Sequence, residues 1–233
     1  YTKEIEITPN AAHTYRNIGL IYAENLGDNE KALVNYTKAI EVAPEDSYSY
    51  EARGDFYRDY LGDNEKAFAD YNKGLEMDPD DASIYYEIGY IYTDLGVYDL
   101  ALQYLLKVVD LDPNYENANN LIGYTYRNAF NEYEKAIEYY TKEIEITPNA
   151  AHTYRNIAII YADNLGDNEK ALINYTKAIE VEPDNSTNYE ARGDFYRDYL
   201  GDNEKALADY NKALEIDPED ARLYYEIGAT YLN

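Results

Sequence analysis

The side chains best equipped for chemistry are few. The chain has two histidines, 46 acids and no cysteine. Without a thiol, disulfides, cysteine nucleophiles and zinc–cysteine centres are excluded. His13 and His152 sit in the same local sequence, Ala-Ala-His-Thr-Tyr-Arg-Asn, so they are one position copied once. They read as helix-start histidines, not as an acid–base pair. Asp78, Asp80 and Asp81 have the look of a calcium or acid–base cluster, but they flank a helix start, where capping and the helix dipole account for them. The Asp-Asn-Glu loops lack the alternating ligands, central glycine and distant glutamate of an EF-hand. No glycine-rich phosphate loop is present. The sequence therefore points away from an enzyme, and it implies no cofactor and no metal. What remains is recognition chemistry. Arginine offers a planar fork for carboxylates, and 31 tyrosines offer broad rings with a polar tip.

The elements that must position these groups recur. All seven prolines fall at one repeating place, Pro9, Pro44, Pro79, Pro113, Pro148, Pro183 and Pro218, with spacings of 35, 35, 34, 35, 35 and 35. A fixed period of this length marks a stacked repeat protein that grows by addition, without one closed core. Between prolines each unit predicts two helices. The first carries apolar and small residues at i, i+3, i+4 and i+7, as in Tyr15, Ile18, Gly19 and Tyr22. Asn10, Asp46, Asp81, Asn149 and Asp220 stand where N-caps are expected. A Leu-Gly-Asp-Asn-Glu-Lys loop starts at Leu26, Leu61, Leu165 and Leu200. The second helix then presents Ala32, Tyr36, Ala39 and Ile40 inward, and proline ends it. The formal net charge is -26, and Leu, Ile, Val and Phe make up only about a fifth of the chain, close to a disordered composition. Tyrosine and alanine at fixed offsets supply the missing apolar surface, so a folded chain is expected.

These units resemble the tetratricopeptide repeat family. Its aromatic-x2-Leu-Gly-x2-Tyr, Ala-x3-aromatic and Pro pattern is met by Tyr15, Ile18, Gly19, Tyr22, Ala32, Tyr36 and Pro44, and again by Tyr85, Ile88, Gly89, Tyr92, Ala101 and Pro113. The resemblance implies an all-α, right-handed superhelical solenoid of stacked antiparallel helix pairs. It runs through a partial helix at 1–9, full units at 10–44, 45–79, 80–113, 114–148, 149–183 and 184–218, and a last first-helix at 219–233. Residues 1–94 align with 140–233 without a gap and share 75 identities, so a four-unit block is duplicated. Tyr1–Pro9 repeats the tail of a later second helix, and the chain is expected to be part of something longer. Two departures stand out in unit 114–148: Asn119 replaces the aromatic, and Phe130 is assigned to the loop-glycine position. Glu4 and Glu143 put a carboxylate where Ala39 and Ala178 stand elsewhere. The joint around Asn119–Glu143 is therefore expected to be the loosest.

The cations divide by element. All 12 lysines fall on second helices and all eight arginines on first helices. In proteins of this resemblance first helices line a concave groove. The groove stripe would include His13, Arg16 and Leu20; Tyr48, Glu51, Asp55 and Arg58; Tyr86 and Tyr90; Tyr124 and Arg127; then Arg155; Glu190, Asp194 and Arg197; and Arg222. Six arginines there face four acids, a formal +2, and widening the stripe by Glu24, Asp59, Asp94, Asp163 and Asp198 turns it to -3. Arginine and tyrosine are the types enriched at binding hot spots. The groove is thus expected to bind an extended peptide or partner helix through Arg16, Arg58, Tyr86, Tyr90, Arg127, Arg155 and Arg197. Intrahelical pairing, such as Asp55 with Arg58, is the competing use of these charges. A terminal-carboxylate clamp needs an asparagine one turn after the basic residue. Leu20 and Ile159 stand there after Arg16 and Arg155, so that clamp is not implied. The duplication would let a partner with a repeated motif bind twice. Acidity on this scale argues against nucleic acid and anionic membranes. No apolar run approaches the roughly 20 residues that span a bilayer. The alternative use is structural, with head-to-tail self-association through open solenoid ends. The sequence chooses no compartment.

Overall fold

The computed structural model describes residues 11–232, all of whose regular structure is helical. The partial helix at 1–9, with Glu4, and the cap position Asn10 lie outside the described residues. The chain forms two compact units that meet in sequence at Pro113 and Asn114. The first holds three helix pairs: α1 (Ala12–Glu24) with α2 (Asn29–Val42), α3 (Ser47–Leu61) with α4 (Asn64–Met77), and α5 (Ala82–Asp94) with α6 (Tyr98–Leu111). The second holds α7 (Ala118–Thr125) with α8 (Tyr133–Ile146), α9 (Ala151–Ile159) with α10 (Asn168–Val181), α11 (Ser186–Asp198) with α12 (Asn203–Ile216), and a last helix, α13 (Ala221–Leu232). The last turns of α7 and α9 widen to i→i+5 hydrogen bonding over Tyr126–Phe130 and Ile160–Asn164.

The repeated loop starts each second helix by the same device. Asp28, Asp63, Asp167 and Asp202 accept the backbone N–H three residues on, at 3.0–3.1 Å. A side-chain acceptor here satisfies one of the donors a helix start leaves open. The residue before the aspartate takes the left-handed backbone, as at Gly62 (φ 63°). In α7–α8 that role falls to Asn131 (φ 54°). The loop-glycine position is therefore Asn131 and not Phe130, and asparagine is the side chain that tolerates this backbone best after glycine.

First-helix caps are less uniform than expected. Asp81 accepts from Ser83 and Ile84, and Asp220 from Arg222. Asp46 and Asn149 do not cap. Asp46 turns instead to Arg16 and the Ser49 hydroxyl, while α9 starts after Ala150 with no side-chain cap. An arginine from the preceding pair competes for the Asp46 carboxylate and wins, since the charged partner binds it more strongly than a backbone amide.

Inside each unit the helices meet at small residues under tyrosine rings. A Cβ on Gly54 would lie 2.6 Å from Tyr71 Cε1, so no larger residue fits beneath that ring. Tyr71, Tyr140 and Tyr210 are fully buried among Ala67 and Ile84, Ala136 and Ile157, and Ala206 and Leu223. Burying a ring of that size contributes about 2–3 kcal/mol. Two arginines lock the joints. Arg53 grips Asp70 with Nε and Nη2 at 2.7 and 2.8 Å and donates to Thr37 of the pair before. Arg192 repeats this on Asp209 and Thr176.

The joint at Asn119–Glu143 is built differently from the expectation. Glu143 is fully buried, and its carboxylate accepts the N–H groups of Asn117 at 2.8 Å and Asn120 at 3.3 Å. Asn117 itself has a left-handed backbone (φ 66°) and makes no side-chain cap. A carboxylate on α8 therefore caps the start of α7, a favourable place for negative charge.

Candidate functional site

In the first unit a cleft of about 420 Å³ opens between α1 and α3. Tyr36 and Phe56 form its floor, Leu20 and Tyr48 its exposed flanks, and Glu24, Glu51, Asp55 and Asp59 its acidic rim, with Arg16 the one cation. Tyr48 is 62% exposed. The 3.6-residue period of each first helix explains the arrangement: one face packs on the partner helix, and residues three or four apart on the adjoining face, such as Arg16, Leu20 and Glu24, line the cleft. Burial pushes the Glu51 carboxyl up to about 7, against the Ser83 hydroxyl that donates to it and with Asp55 adding to the rise. Asp55 is raised too, by burial, although Tyr71 and Arg58 hold it back.

The predicted groove arginines are mostly spoken for inside the protein. Arg16 binds Asp46 and Ser49. Arg58 binds Glu87 of the next pair and Asp59, the latter at 2.7 Å, with Asp55 at 3.7 Å. Its Nη1 also donates to the Tyr71 hydroxyl at 3.2 Å. The intrahelical Asp55 pairing weighed from sequence is thus present but weaker than the bond to Glu87. Arg197 repeats the pattern on Glu226, Asp198 and Asp194. Arg155 donates to the side-chain oxygen of Asn188, and burial lowers its pKa, with Glu182 opposing the shift. Arg222 pairs with the buried Glu190. Tyr86 is half-buried, whereas Tyr90 is 47% exposed with the Arg58 guanidinium 5.7 Å from its ring centre.

Arg127 stands apart. It is half-buried on the widened turn after α7 and has no hydrogen bond or ion pair among the described residues. His13 and His152 are both exposed near the starts of α1 and α9. Among the described residues no cluster of His, Cys, Asp or Glu could hold a metal, and no helix is long and apolar enough to cross a membrane. Sequence reasoning missed the Arg53–Asp70 and Arg192–Asp209 forks. The available signal was an aspartate on an inner helix face, 17 residues after an arginine in both copies.

Helix pairs repeating at a near-constant period, with small residues at the crossings and first helices lining a cleft, define a helical-repeat scaffold. The tetratricopeptide repeat pattern matches residues 12–46, 82–115, 116–150 and 151–185, and a second pattern, described as TPR repeat, matches 60–96 and 199–233. The chain belongs to the tetratricopeptide repeat family, whose members are generally non-enzymatic scaffolds. No curated protein matches its sequence. Among solved structures it is similar to PilF of Pseudomonas aeruginosa, at 20% identity and a TM-score of 0.75 over 94% of this chain and 97% of that one. It is similar to YrrB, a TPR protein with an unusual peptide-binding site, at 26% identity and a TM-score of 0.61 over 84% and 97%. It is also similar to MamA, at 28% identity and 0.63 over 77% and 96%.

Proposed function

We propose that this scaffold binds an extended peptide or partner helix along the first-helix faces of its units. The observation that carries the reading is the cleft between α1 and α3, where Leu20 and Tyr48 stand exposed over a Tyr36–Phe56 floor. An apolar floor with a polar rim is the anatomy of a peptide anchor pocket. The exposed Tyr90, held by Arg58, continues the apolar surface along α5. In this reading Tyr86 and Tyr90 offer contacts within the first unit, and Arg127 offers one within the second. Arg16 and Arg58 shape the first unit's face, and Arg155 and Arg197 the second unit's, because their guanidiniums already serve internal bonds. The likeness to YrrB, itself a peptide-binding TPR protein, supports the same direction. Capture from lysate tests it. Tyr90→Ser gives up the ring contact with Arg58 but no hydrogen bond, Arg127→Gln breaks no internal hydrogen bond or ion pair among the described residues, and each is expected to lose a partner that the unaltered chain retains. Retention by both variants at full yield rejects the groove.

Head-to-tail self-association has one observation of its own. Tyr225, Tyr231 and Leu232 on α13 are 72%, 71% and 89% exposed. Light scattering over a range of concentrations decides it: growing mass supports association, and a constant monomer mass rejects it.

A further inference from the structure

The second unit contains an arginine with neutral residues at the three spacings where its siblings have acids. In its two siblings the arrangement is complete. Arg58 faces Asp55, Asp59 and Glu87, and Arg197 faces Asp194, Asp198 and Glu226. At the same spacings from Arg127 the sequence has Tyr124, Asn128 and Asn156. The hydroxyl beneath is orphaned as well. Tyr71 and Tyr210 donate to Asp55 and Asp194 at 2.7 Å. Tyr140 occupies the equivalent seat under Gly123, fully buried, and its hydroxyl has no hydrogen-bond partner. That hydroxyl lies within the electrostatic reach of Arg127 and Tyr124.

A half-buried guanidinium and a buried hydroxyl, both donors without acceptors, form a site that one carboxylate would complete. The surroundings favour the same charge. From Ala118 to Phe130 the first helix carries no acid, and from Ala151 to Asn164 the next one carries only Asp163, on a chain whose formal charge is -26. Arg155, on the second of these stretches, meets Asn188 in the place of Ser49, and the counterpart of Asp46 is the neutral Asn185.

We propose that Arg127, with the Tyr140 hydroxyl behind it, receives the side-chain carboxylate of a glutamate or aspartate from an extended partner segment. The incoming group takes the place that Glu87 and Glu226 fill in the siblings. This assignment rests on the groove reading above and names the acidic partner chemistry for the second unit. The side chain, not a free terminus, is the source, because the template in both siblings is a glutamate side chain.

Two probes test it separately. Arginine Nε–Hε resonances are followed as sodium glutarate is added. The Arg127 signal is expected to shift to saturation while those of Arg58 and Arg197 stay still. Asn156→Glu, which restores the sibling acid, is expected to abolish the shift. A stationary Arg127 signal, or an unaltered shift in Asn156→Glu, overturns the site. The second probe is an array of acetylated, amidated dodecapeptides in pairs differing by one Glu→Gln change. The best glutamate member is expected to bind about tenfold more tightly than its glutamine twin, the worth of one charge-assisted hydrogen bond. In Arg127→Gln the difference is expected to vanish. Peptides that bind with no such difference overturn the site and leave the groove standing. A glutarate shift without binding of any peptide supports the carboxylate site and overturns the groove.

Discussion

Three tyrosines in equivalent seats should answer the same substitution with opposite signs. Tyr71→Phe and Tyr210→Phe each delete a 2.7 Å hydrogen bond to a carboxylate, Asp55 or Asp194. Such bonds contribute about 1.5–3 kcal/mol, and both carboxyls, already raised by burial, lose a donor that stabilises their charge. Tyr140→Phe deletes a buried oxygen with no partner, whose desolvation costs about 1–3 kcal/mol. All three changes keep the ring, so no cavity opens and packing over Gly54, Gly123 and Gly193 is retained. The expected outcome is a loss of about 2 kcal/mol at Tyr71 and Tyr210 and a gain of about 1 kcal/mol at Tyr140. Urea titration followed by circular dichroism gives the global value. Native-state hydrogen exchange on α4, α8 and α12 localises it, since neighbouring repeats need not unfold together. Equal destabilisation at all three positions would refute the reasoning. It would mean that the Tyr140 hydroxyl has an acceptor in the free protein, and the case for an open carboxylate site would fall with it.

Glu143→Ala removes the cap on α7 and leaves the Asn117 and Asn120 amides unpaired, a loss of about 2–3 kcal/mol with faster exchange at those two amides; unchanged exchange there contradicts the capping role. Glu51 has its folded pKa raised from 4.5 to about 7, so the folded state binds its proton more tightly. Its contribution is whole below about pH 4.5 and is lost as pH rises to about 7, at most about 3 kcal/mol. Melts between pH 4.5 and 7.5 should show stability falling with pH, and Glu51→Gln should flatten the slope. Arg53→Ala strands the buried Asp70 and should cost about 3 kcal/mol, far more than Arg127→Ala, which breaks no internal bond.

Much of the fold was legible because a repeat states each rule several times. Proline spacing, the Gly–Tyr crossings and the Asp-Asn-Glu-Lys helix starts all recur, and one physical reason covers every copy. The site was less legible because its contacts join one repeat to the next. Arg58 reads as a free groove cation until Glu87, 29 residues on, is seen beside it. Asp46 reads as a cap until Arg16 claims it. Glu143 reads as a flaw in a tight joint, since nothing local shows that the amides of α7 need an acceptor there. Arg127 was picked out with the other arginines, but what distinguishes it is the absence of acids at three separate spacings. That pattern has meaning only once the siblings show what belongs there.

Site-specific photocrosslinking tests the central claim, that partners dock on the first-helix faces, most directly. A benzophenone side chain is placed at Tyr48 or Tyr90 on the first-helix face, and at the exposed Val34 or Ile173 on second helices. The account predicts adducts from Tyr48 and Tyr90 and none from Val34 and Ile173. Adducts from the second-helix positions alone would contradict it.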